Sequence, residues 1–197
     1  MAFEVLDYAL LSAPGAPLKQ ALIDAGIGKD IMGGFDNSTL QPIFSVVAKN
    51  ANKEDEEKFV GIIEDTLKKI VKDGLNRKSL LAGINSEEFK FREADYGNFP
   101  KGLIYGLSCM DSWLYDENKP FIHVEAGETF EIIKKNSENG FFEKFIEDNI
   151  INNNHEVVLS LVPSMDLQRR RKQRKQSSLQ SIRQHFPRKN WKSLLSR

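Results

Sequence analysis

The 197-residue sequence contains one cysteine, Cys109, so no disulfide can close within the chain and nothing points to an oxidising compartment. No apolar run approaches the roughly 18 residues that suggest a membrane span. The first ten residues, MAFEVLDYAL, lack the basic start of a secretory signal. A cytoplasmic protein with no membrane partner is expected. Net charge is also lacking, with 28 Lys and Arg against 28 Asp and Glu. That balance hides a split. Residues 164–197 hold 11 of the basic residues and one acid, Asp166, so the tail is +10 and the preceding body −10. Such asymmetry raises nucleic acid as a partner. The stretch LQRRRKQRKQ could contact phosphates with salt-dependent affinity. It has no aromatic residues between the cations on which bases could stack, which disfavours that reading.

The signatures of catalysis are equally sparse. His155-Glu156 opens like a zinc-protease motif, but that motif needs a second His four residues on, and position 159 is Leu159. The inverted motif H-x-x-E-H is absent, and His123, followed by Val124-Glu125-Ala126, fits neither pattern. Surface histidines are the simpler account of both. The pairs Gly26/Gly28 and Gly33/Gly34 belong to no phosphate-loop pattern, and turns and helix caps explain them. Cys109, on a predicted helix without a neighbouring His, reads as a packed thiol. The aromatic pairs Phe141-Phe142 and Trp113/Tyr115 read as core. The residues therefore identify no catalytic, cofactor-binding or metal-binding site in this chain.

What is present is a folded body. Hydrophobic content is 40%, with 13 Phe. The stretch Ser12–Lys49 organises it, holding three prolines and five glycines. Before it, residues 3–12 read as a helix with Phe3, Leu6 and Leu10 on one face, stopped at Pro14. Pro17 suits the first turn of a second helix, with Leu18, Ala21, Leu22 and Ala25 as its apolar stripe and Gly26 or Gly28 as its stop. Residues 30–35 and 43–49 read as strands joined through the turn cluster Asp36-Asn37-Ser38. Residues 53–72 form the clearest helix, with Phe59, Ile62, Ile63, Leu67 and Ile70 in helical register. Asn76 can cap a helix reaching about Tyr96. Further helices are expected over 100–115, 127–135 and 141–149. A final strand over 155–162 would align Val157, Leu159 and Leu161. Together these predict an α+β fold, an antiparallel sheet covered by helices on one face. Val46, Ile63, Leu67, Leu107 and Leu159 are expected to be buried. Two regions follow, a body of residues 1–163 and a basic tail of 164–197. A helix starting at residue three makes the N-terminus look incomplete, so exposed sheet edge and association are expected.

The order of residues says more. YALLSAPGAPLKQALIDAGIGKDIMGGFD, then QPIFSVVAKNA, then FREADYGNFPKGLIYGLSCMDSWLYD and NNNHEVVLSLVPS, resembles the pitrilysin/insulinase superfamily of zinc metallopeptidases, in its presequence-protease-like branch. The resemblance runs over about residues 3–164. It implies the second domain of a two-halved peptidase whose halves close around a chamber for unfolded peptides, just before a helical-hairpin linker. In that family zinc is held by an H-x-x-E-H helix and a later Glu of the first domain. The Glu of the motif activates the metal-bound water. None of these residues is present here, so the resemblance carries over no catalytic or metal residue. It implies a non-catalytic chamber wall. The implied partners are the zinc-bearing N-terminal domain, the C-terminal half and peptide substrates. A standalone inactive partner subunit is the alternative within the same family. The family continues with an acidic helix beginning like GLAEEKE. A back-translation of residues 164–173 read with one inserted nucleotide gives SNGLAEEKEA, so residues 165–197 are expected to be an out-of-frame linker.

Overall fold

The computed structural model describes residues 1–164 and 166–185. It divides into two compact units, Met1–Val158 and Leu159–Arg197. Within the first unit the element order is α1 (Ala2–Asp7), α2 (Pro17–Asp24), β1 (Asp30–Asp36), β2 (Ile43–Lys49), α3 (Glu56–Asp73), α4 (Arg77–Glu93), α5 (Lys101–Trp113), α6 (Gly127–Asn136) and α7 (Phe141–Ile146). The second unit contains α8 (Leu167–His185). The mixture of helices with an antiparallel pair of strands is the expected α+β class.

Helix α1 is the centre of the first unit. It runs on through a π-helical turn, Tyr8–Ser12, and then into extended backbone at Ala13, just before Pro14. Phe3, Leu6 and Leu10 were the expected inner face, but Val5 and Ala9 are buried as well. The reason is α4, which packs on the opposite side. Gly83 makes that approach possible, since a Cβ there would lie 3.1 Å from the Tyr8 ring and 3.4 Å from the Val5 carbonyl. Burial of side chains such as Leu6 and Leu10 contributes about 1.5–3 kcal/mol each.

Pro17 starts α2, and Gly26 ends it at φ +72° with its N–H on the Ile23 carbonyl. The chain then turns directly into β1. Strands β1 and β2 pair antiparallel from Asp30 opposite Lys49 to Asp36 opposite Ile43. One face of the pair meets the helices. Ile31 is buried there, and Phe35 stacks on Phe3 at 4.9 Å. Phe3 also meets the edge of Phe145, which joins sheet, α1 and α7 into one core.

Helix α3 follows its expected register. Leu67 and Ile70 are buried, and Phe59, Ile62 and Ile63 pack half-buried against the core. Gly74, at φ +87°, ends it. Asn76 then caps α4 as expected, its Oδ1 accepting from the N–H groups of Lys78 at 2.9 Å and Ser79 at 3.2 Å. Helix α4 stops at Glu93, short of Tyr96, because Ala94 adopts a left-handed conformation.

Several expectations are corrected. Residues 155–162 form no strand, and Leu159 is 77% exposed. The alternation of Val157, Leu159 and Leu161 suits a strand, but a strand needs an edge to pair with, and the described residues offer no ladder there. Helix α5 forms where expected yet buries no residue, and Leu107 is 54% exposed. Trp113 and Tyr115 are likewise exposed rather than core. Their apolar stripe is real, but none of the described elements packs closely enough to cover it. Val46 is half-buried, on the helix-facing side of β2.

Candidate functional site

Each polar residue singled out from the sequence lies apart from the others. His155 is exposed in an irregular segment, with its N–H on Asn153 Oδ1 at 2.8 Å. His123 is exposed in the turn after α5. Cys109 is half-buried on α5 rather than fully packed. No three His, Cys, Asp or Glu side chains stand close enough to hold a metal among the described residues. The donor set of the zinc site that the family resemblance implies is therefore not assembled from these residues, and no step of metal chemistry is derived through them. The glycines take backbone roles. Gly28, at φ +70°, enters β1 where a Cβ would sit 2.8 Å from the Lys49 carbonyl.

Charged groups are arranged as helix-to-helix ties. Lys134 of α6 reaches Glu88 of α4 at 2.5 Å, and Arg92 meets the same carboxylate at 2.7 Å. The Lys134 hydrogen bond, then that of Arg92, holds the Glu88 carboxyl below its usual range. Arg77 pairs with Glu138. Glu143 of α7 accepts the Leu75 N–H at 2.8 Å and so fastens the α3–α4 turn. Among the described residues, Asp7 is the acid whose surroundings oppose its charge. Burial pushes its carboxyl up, Oδ1 lacks a partner, and Ser12 reaches Oδ2 only at 3.5 Å. These are structural pairings on helix surfaces, and none lines a cleft suited to acid–base chemistry.

What the surface offers instead is apolar area. Along α5, Leu103, Leu107, Met110 and Trp113 are exposed, and the segment after it adds Leu114 and Phe121. Loops hold this region in place. Ser112 Oγ donates to the Lys119 carbonyl at 2.7 Å, and Tyr96 meets Tyr105 edge-on. A second apolar stretch begins at Val158, which with Glu56, Glu57, Val60, Gly61 and Glu64 lines a shallow, acid-rimmed recess on α3. No helix is long and apolar enough to cross a membrane among the described residues. In the second unit, α8 is a solvent-exposed helix carrying Arg169, Arg170, Arg171, Lys172, Arg174 and Lys175. The tail beyond His185 lies outside the described residues.

The described residues form a helical domain with a small sheet and exposed apolar side chains along α5. Sequence comparison names the class. Residues 1–86 match the family described as "Peptidase M16 inactive domain". The chain is 43% identical over 195 residues to "Protein HypA" of Clostridium perfringens, covering 99% of this chain and 20% of that protein. It is 32% identical over 168 residues to "Presequence protease 1, chloroplastic/mitochondrial" of Arabidopsis thaliana, covering 83% of this chain and 16% of that protein. "Presequence protease, mitochondrial" of Xenopus laevis is 27% identical over 82% of this chain and 16% of its own length. The chain belongs to the pitrilysin/insulinase superfamily of peptidases, as a non-catalytic member domain. It spans a fifth or less of the length of these relatives. The Clostridium match covers nearly every residue and so runs past Ser164 into the basic tail, beyond the point where the sequence alone placed the end of the resemblance.

Proposed function

We propose that this chain works as a chamber wall of a zinc-dependent peptidase that degrades unfolded peptides, supporting a separate zinc-bearing domain rather than cutting peptides itself. The observation that carries the reading is the match to an inactive peptidase domain in a sequence without H-x-x-E-H or H-E-x-x-H. In such an enzyme the metal polarises the scissile carbonyl and supplies the attacking water. This domain's own part is to hold its neighbours and shape the enclosure. The exposed apolar side chains of α5 suit contact with neighbouring domains, and the acidic body suits a compartment that receives basic, unfolded peptides. A cytoplasmic setting belongs to the same reading.

The test has two arms. The purified chain, assayed for zinc by atomic absorption and for cleavage of an unfolded fluorogenic peptide, is expected to show neither. Stoichiometric zinc together with cleavage would sink the proposal. The full-length Clostridium relative, with Leu→Glu changes at the positions aligned with Leu103 and Leu107, is expected to retain zinc and lose peptide turnover at least tenfold. Unchanged turnover would remove the supporting role.

A further inference from the structure

Helix α8 carries a density of positive charge found nowhere else in the chain. Arg169, Arg170, Arg171, Lys172, Arg174 and Lys175 fall within seven consecutive residues, and residues 167–185 contain no acid. All six side chains are exposed. None has an ion-pair partner among the described residues. Their charge is therefore uncompensated, unlike that of Lys134 and Arg92, which Glu88 neutralises in the first unit. The cations also surround the helix. At 3.6 residues per turn, the six positions leave no arc wider than about 100° without one. The apolar residues of α8 are Leu167, Leu179 and Ile182, and none lies among the cations.

That distribution selects a partner. A helix lying on a membrane needs a continuous apolar face opposite its charges, and α8 has none. A flat acidic protein face would reach only one side of the ring. The major groove of B-form DNA is about 12 Å wide, admits a helix of about 10–12 Å diameter, and places phosphates on both walls. Single strands are held by aromatic side chains on which bases stack, and residues 167–182 contain none. In a duplex the bases already stack on one another, so none is required. The spacing agrees. Residues 169–175 rise about 9 Å along the helix axis. Duplex DNA presents one phosphate per ~1.7 Å, or about five over that distance, against the six cations. We infer that α8 binds B-form duplex nucleic acid, lying in the major groove with its cations on the phosphates of both walls. Contacts of this kind make affinity depend on salt and little on base sequence. This role is separate from the chamber-wall reading, since it uses only residues of the second unit.

Fluorescence anisotropy of a labelled DNA duplex of about 20 base pairs, titrated with the full 197-residue chain, tests it. At about 50 mM salt the expected Kd is micromolar or tighter. The logarithm of affinity should fall against that of salt with a slope of about −4.5, a loss of roughly 500-fold by about 200 mM. A single strand of the same length should bind about tenfold more weakly, having the lower charge density. Arg169→Gln, Arg170→Gln and Arg171→Gln, made together, should flatten the slope by about 2.7. Glutamine is a good helix former, so the far-ultraviolet spectrum should not change. The corresponding three Arg→Lys changes keep the charges and should keep the slope. No binding to the duplex at about 50 mM salt overturns the proposal. So does a slope that the glutamine variant leaves unchanged, or a single strand that binds as tightly as the duplex. Binding to phosphatidylglycerol vesicles that the duplex cannot displace would give α8 to a lipid surface and overturn it as well.

Discussion

Two neighbouring glycines in β1 should respond oppositely to the same substitution. A Cβ on Gly33 would land on Leu11 Cδ1 and lie 2.5 Å from the Ser45 carbonyl oxygen. A Cβ on Gly34 would meet nothing within 4 Å. Neither glycine has the positive φ that would strain an alanine. Leu11 is 3% exposed and has little room to retreat, and the Ser45 carbonyl belongs to the paired strand. Gly33→Ala therefore overpacks the sheet–helix junction and should cost about 1–3 kcal/mol. Gly34→Ala only narrows the unfolded ensemble and should stabilise by about 0.4–1 kcal/mol. With about 2–4 °C per kcal/mol for a chain of this length, the two variants should melt roughly 3–16 °C apart. Thermal and urea unfolding followed by far-ultraviolet circular dichroism measures the gap. A double-mutant cycle with Leu11→Ala identifies the cause. Trimming Leu11 should recover part of the Gly33→Ala loss, a coupling of about 0.5–1 kcal/mol or more. Equal melting of the two variants, or zero coupling to Leu11, would refute the packing argument.

Glu143→Ala should lose about 1–2 kcal/mol by stranding the Leu75 N–H, while Glu143→Gln, which keeps an acceptor oxygen, should lose much less; hydrogen exchange at the Leu75 amide reads this directly. Asn76→Ala should cost about 1 kcal/mol in urea melts by uncapping α4, and Asn76→Asp should not. Asp7 makes a pH prediction. Burial, with Glu87 adding to it and Ser12 and Lys90 opposing, raises its folded pKa above the ordinary 3.8. The folded state therefore binds the proton more tightly. Stability from this group is greatest below pH 3.8, falls as the pH rises from 3.8 through the raised folded value, and stays reduced at neutral pH. Asp7→Asn should be the more stable protein at pH 7, with the difference shrinking toward pH 3.5; a difference independent of pH would dismiss the burial argument.

Local chemistry was legible in the residues. Asn76 caps α4 because the cap involves only its own next three residues. Pro17 and Gly26 bound α2, and the register of α3 placed Leu67 and Ile70 inward, because a helical period of 3.6 needs nothing beyond the helix to set it. The family, too, was legible, through a long ordered run of residues rather than through any motif. Absence of the zinc motif could be read directly, but which apolar side chains lie exposed could not.

Burial was decided only in three dimensions. Leu107 carries the same helical period as Leu67, and Leu159 a strand-like alternation, yet both remain exposed while Leu67 is buried. A period says which residues share a face and is silent about what that face meets. Val5 and Ala9, off the expected face of α1, are buried because α4, far along the chain, packs against them. Gly33 is small because Leu11 and Ser45 converge on it, a contact between three separate elements that no local pattern records. Sequence by itself determined most of the helices, the β1–β2 pair, caps such as Asn76 and the superfamily, but not the strand read over 155–162, which needs a partner ladder that local residues do not supply. The tertiary structure alone decided which apolar faces are core and which are left for another surface, because burial depends on contacts between segments distant in sequence.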